Sequence, residues 1–197
     1  LMMDEIEHLA QRNQQKAGEV METCGIVSAW ESIGAEVHLV GSLKTGLLLK
    51  HRDIDVHLYT DTLDVAASFQ AASRIAAVPG VIGMEFCNRK ETDEQCLEWH
   101  AHYCAGPGEV WQIDMIHILK GSGYDGFFER VAERICAVLT PETRHAILTL
   151  KNETPATESI PGIAYCQAVL RDGIRTYAEF IEWYQTHPLQ GVCEWMP

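Results

Sequence analysis

Two aspartates, Asp53 and Asp55, stand two residues apart inside the apolar run "DIDVHLYT" of residues 53 to 60. An ionised carboxylate is costly there unless something is paired with it. Strand alternation puts Asp53, Asp55 and His57 on one face and Ile54, Val56 and Leu58 on the other. The two acidic Cα atoms are then about 6.5–7 Å apart, and their charges repel by roughly 2.5 kcal/mol at an effective dielectric of 20. A hard divalent cation removes that repulsion, because Mg²⁺ takes oxygen ligands and is typically held by one or two carboxylates together with substrate phosphates. Taken alone, such a triplet is more often a pair of solvated strand residues.

The preceding residues change the balance. The apolar run "AEVHLV" ends at Gly41-Ser42. The glycine lets backbone approach a ligand closely, and Ser42 stands where a following helix would present unpaired N–H groups, an anion site. A hydroxyl and amide donors would then hold phosphates beside the cation. Lys44 is a further phosphate contact, weighed against the solvated lysine that is the default. A third acid, Asp114, lies in "WQIDMIHI" between Ile113 and Met115 as a strand residue. Its other readings are a buried, hydrogen-bonded acid or an exposed strand position.

An apolar residue with Gly-Ser, a spacer, then Asp-apolar-Asp-apolar resembles the signature of the DNA polymerase beta-like nucleotidyltransferase superfamily. Here it reads "VGS", Leu43 to Arg52, and "DIDV", and Gly46 in "GSLKTG" is similar to the small aminoglycoside and lincosamide nucleotidyltransferases. The resemblance covers about residues 36 to 120. It implies an α+β fold, a mixed β-sheet flanked by helices with a small helical C-terminal lobe. It also implies a transferase using Mg²⁺ or Mn²⁺ and an NTP as co-substrate. Asp53 and Asp55 would hold the nucleotide-bound metal, Asp114 would help bind a second, and Gly41, Ser42 and Lys44 would hold the nucleotide. Two such metals stabilise the attacking and leaving oxygens of an in-line displacement.

The elements that must position these residues follow from pattern. Residues 4 to 32 read as one helix or two, 35 to 40 as a strand, and 42 to 50 as a short helix. After the strand at 53 to 60, Asp61 caps a helix over 62 to 77 that Pro79-Gly80 terminates. Residues 81 to 87 form a third strand. "CLEWHAHYC" and "VWQIDMIHIL" pair as a hairpin around Gly-Pro-Gly. If that loop holds an even number of residues, Asp114 joins the face of Trp99, Ala101 and Tyr103; if odd, it joins His100 and His102. Helices follow over 125 to 139, from Pro141 with Thr140 as N-cap, over 162 to 171, and over 177 to 186 with a Thr176–Glu179 capping box. Strands stop near residue 120, so the chain divides into a core of residues 1–139 and a helical lobe of 140–197. Lys151 and Tyr165 of that lobe are candidate ligand contacts, and His57 a neighbour of the paired acids.

The 197 residues are 47% hydrophobic and 22% charged, the composition of an ordinary globular protein. A net charge of −13 opposes bulk nucleic-acid binding. It therefore favours a small hydroxylated acceptor, with a protein or RNA target and a non-catalytic binding module as the alternatives. Seven cysteines without a CxxC pair predict reduced thiols rather than a disulfide framework. Cys96, Glu98, His100, His102 and Cys104 share a strand face and raise a zinc reading. One straight strand spreads them over about 27 Å, so tetrahedral zinc would need ligands from another element. No apolar run approaches the ~20 residues of a membrane span, and the start lacks a signal-peptide pattern, which predicts a cytoplasmic protein.

Overall fold

The computed structural model describes residues 2–197, with side chains described from residue 5 onward. Helices α1 (Met2–Thr23) and α2 (Ile26–Glu31) lead into β1 (Glu36–Val40), α3 (Gly41–Thr45) and β2 (Asp53–Thr60). Then come α4 (Val65–Ala76), β3 (Val81–Arg89), β4 (Cys96–Gly106), β5 (Glu109–Leu119) and α5 (Phe127–Val138). The rest is helical: α6 (Pro141–Glu153), α7 (Gly162–Cys166) running into a π-helical turn over Gln167–Arg171, and α8 (Tyr177–Thr186).

The five strands form one mixed sheet in the order β1-β2-β5-β4-β3. Only β2 and β5 run parallel; the other neighbours are antiparallel. The parallel pair sets Asp55 opposite Asp114 and Asp53 opposite Gln112, so the face that carries one acid carries all three.

The opposite face is the core. Ile54, Val56 and Leu58 of β2 pack with Ile113 and Met115 of β5 and Trp99 of β4 beneath α1, α2 and α4. Trp30 of α2 is fully buried and donates its indole N–H to the Met115 sulfur at 3.2 Å. Burying each such side chain stabilises by about 1.5–3 kcal/mol, which pins the acidic face outward. A second cluster joins Ile147, Leu148 and Leu150 of α6 with Tyr165 and Phe180. It recruits Ala10 of α1, Val131 and Ile135 of α5, and Leu47 and Leu49 of the loop after α3.

Two helices differ from the sequence expectation by three residues or more. Helix α3 ends at Thr45 rather than Lys50, because Gly46 takes the left-handed C-cap conformation (φ 73°) and releases Leu47 and Leu49 into the second cluster. Helix α4 begins at Val65, capped by Asp64 rather than Asp61: the Asp64 carboxylate accepts from the Ala66 and Ala67 N–H groups at 2.8 and 3.2 Å. Thr140 and Thr176 do cap α6 and α8, each within a capping box. No described helix is long and apolar enough to cross a membrane, and all seven cysteines are free.

Candidate active site

Three elements bring the acids together. Asp53 and Asp55 occupy the start of β2, Asp114 the middle of β5, and all three line one cavity of about 290 Å³ with Ser42 and Lys151. Asp114 is held by its neighbours: Asp114 Oδ1 accepts from His100 Nδ1 at 2.6 Å and from Gln112 Nε2 at 2.9 Å. Asp53 and Asp55 have no hydrogen-bond or ion-pair partner among the described residues, which leaves their oxygens open to a ligand in the cavity.

Electrostatics agree with that geometry. Burial, then the charges of Asp114 and Asp53, push the Asp55 carboxyl up to about 7. Asp53 is raised in the same way, by burial and then by Asp114, with His51 and Lys151 pulling it back. A half-buried oxygen donor set that repels its own ionisation fits a hard divalent cation.

Gly41 is required by this packing. Its φ of 67° lies in the left-handed region, and a Cβ there would stand 2.2 Å from Asp55 Oδ2. Ser42, next along, accepts from the buried ammonium of Lys151, whose Nζ donates to Ser42 Oγ and to the Leu47 carbonyl, both at 2.9 Å. Burial lowers the pKa of that ammonium, while Cys166, Asp55 and Asp53 raise it. Gly162 lies against the same pair: a Cβ there would come within 3.0 Å of Ser42 Oγ and 3.6 Å of Lys151 Nζ.

The structure does not bring every expected residue to the cavity. Lys44 is exposed on α3 and lines neither cavity beside the acids; the ammonium at Ser42 belongs to Lys151, more than a hundred residues later. Tyr165 lines the polar cavity, donates its O–H to Thr154 at 2.9 Å and stacks on Phe180. His57 lies deeper, edge-on to Phe128, and burial pushes its imidazole down to about 4. It lines a second cavity of about 430 Å³, walled by Phe128, Val131 and Ile163, that shares Ser42 and Asp55 with the first. His102 pairs with Gln112 across the hairpin and lines neither.

Glu94, Cys96 and Glu98 do approach one another within 4.8 Å. However, Arg89 occupies Glu98 at 2.8 Å, and His100 is committed to Asp114, so the strand-face zinc set of Cys96, Glu98, His100, His102 and Cys104 does not assemble. No sequence motif marks Gln112 or Gly162. Gln112 shares the alternation of Asp114 two residues on, and Gly162 follows Pro161 at a helix start; those were their only signals.

The sheet and its helices form a nucleotidyltransferase-type fold. No family model and no curated protein matches the sequence. Among solved structures, a chain of the non-canonical poly(A) polymerase complex GLD-2–GLD-3 is similar with a TM-score of 0.60 at 13% identity, over 95% of this chain and 60% of that one. The Cid1 poly(U) polymerase bound to MgGTP gives 0.59 at 15% identity, over 86% and 55%. A cytoplasmic RNA terminal U-transferase gives 0.53 at 17%, over 85% and 53%. These neighbours belong to the DNA polymerase beta-like nucleotidyltransferase superfamily. The chain spans between 53% and 60% of their length.

Proposed function

We propose that this chain is a metal-dependent nucleotidyltransferase that moves a nucleoside monophosphate from an NTP to an acceptor hydroxyl and releases pyrophosphate. The observation that carries the reading is the convergence of Asp53, Asp55 and Asp114 on one cavity beside the Ser42–Lys151 pair. Mg²⁺ or Mn²⁺ held by the three carboxylates would screen the triphosphate and lower the acceptor hydroxyl's pKa. The protein's own groups do the rest. The Ser42 hydroxyl and the Lys151 ammonium hold phosphate oxygens, Gly41 and Gly162 keep that surface open to them, and the aspartates orient the reacting end. The apolar cavity that shares Ser42 and Asp55 has the volume for a nucleoside. On this reading residues 1–139 are the catalytic core and 140–197 the lobe that supplies Lys151.

The acceptor we favour is the terminal hydroxyl of an RNA, since the structural neighbours are poly(A) and poly(U) polymerases and an RNA terminal U-transferase. A small hydroxylated molecule is the second reading, favoured by the net charge of −13. Pyrophosphate release from each of the four NTPs with Mg²⁺, offered short RNAs and a panel of hydroxylated small molecules, separates the two. Turnover that survives Asp114→Asn would remove the triad from the chemistry.

A further inference from the structure

We infer that His100, together with Gln112, is a positioning residue that fixes which oxygen of Asp114 serves the cation. This rests on the nucleotidyl-transfer reading above. Both donors converge on Oδ1, at 2.6 Å from His100 Nδ1 and 2.9 Å from Gln112 Nε2. A carboxylate oxygen has two lone-pair directions, so two donors saturate it. Oδ2, with no partner among the described residues, is left as the ligating atom. Asp114 reaches the cavity from the middle of a strand, and a free carboxylate there would rotate about χ2; two donors from two strands hold it in one orientation.

The hairpin is built to deliver this contact. Its loop, Pro107-Gly108, holds two residues, and a regular two-residue hairpin would set Asp114 opposite Ala101. A bulge between Cys104 and Gly106 inserts one residue in β4 and moves the register, so that His100 faces Asp114 while Trp99 and Ala101 turn into the core. The bulge thus serves the core and the site at once, and among the described residues His100 is the one imidazole that hydrogen-bonds to any of the three acids.

Mn²⁺ affinity, read by electron paramagnetic resonance without nucleotide, tests the inference apart from turnover. His100→Leu and Gln112→Met should each weaken Mn²⁺ binding, the former by about 10–100-fold, as loss of a partner to a ligating carboxylate typically does. His100→Asn, whose amide N–H occupies the position of Nδ1, should restore most of the affinity. Circular dichroism confirms that each variant is folded. Wild-type affinity in both His100→Leu and Gln112→Met, or a His100→Asn chain as impaired as His100→Leu, overturns the inference alone. A wild-type chain that binds no Mn²⁺ overturns the nucleotidyl-transfer reading with it.

Discussion

Replacing Asp55 with asparagine should make the metal-free protein more stable while removing its response to metal. In the fold the Asp55 carboxyl is pushed from 3.8 to about 7, by burial first and by Asp114 and Asp53 next. Between those values the folded state holds a proton that the unfolded chain has released. Stability therefore falls as pH rises from about 4 to 7, and the loss is complete above 7. Three pH units correspond to about 4 kcal/mol. The substituted amide would carry no charge to desolvate, and a gain of about 2–4 kcal/mol at pH 8 raises the melting temperature by about 5–15 °C for a domain of this size. Thermal melts of wild type and Asp55→Asn in EDTA at pH 8, then with Mg²⁺, read both halves. Mg²⁺ should raise the wild-type transition and leave Asp55→Asn unmoved. An Asp55→Asn protein less stable than wild type in EDTA would refute the reasoning, since it would mean the carboxylate is already satisfied by the protein.

Three further outcomes follow from named contacts. Gly41→Ala should destabilise the chain by at least the roughly 1–2 kcal/mol of a left-handed residue and abolish Mn²⁺ binding, because its Cβ would displace Asp55; a melt and a titration check it. Lys151→Met should lower NTP affinity by about 10–100-fold, the value of a hydrogen bond from a charged donor, and unchanged nucleotide binding by calorimetry would place the phosphates elsewhere. His117 is buried between Ser68 and Thr60 and pushed down to about 4 by burial, so the unfolded state binds its proton first and stability rises with pH between about 4 and 6.5. His117→Gln in the Asp55→Asn background should reduce that limb of the urea midpoint against pH, with the buried His57 keeping the rest; an unaltered slope contradicts it.

The sequence carried the site where a local pattern did. Alternation alone put Asp53 and Asp55 on one face of β2, and Gly41-Ser42 marked the turn beside them. What stayed illegible was set by distant packing. The Ser42-to-Lys50 stretch reads as a helix locally, yet Gly46 stops it so that Leu47 and Leu49 can enter a core built from helices a hundred residues away. Lys44 is nearest Ser42 in the chain, but α3 turns it to solvent and α6 brings Lys151 instead. The Asp114 face hung on loop parity. The turn proved even, and the bulge reversed the outcome, because the hydrophobic set of Trp99 and Ala101 has to face the core.

Whether the three acids hold a nucleotide-bound cation is decided by calorimetry of NTP binding with and without Mg²⁺, in wild type and in Asp53→Ala and Asp114→Asn. NTP affinity should depend on Mg²⁺ in the wild type and lose that dependence in both variants. Affinity indifferent to Mg²⁺, or a Mg²⁺ effect that survives both substitutions, would contradict it.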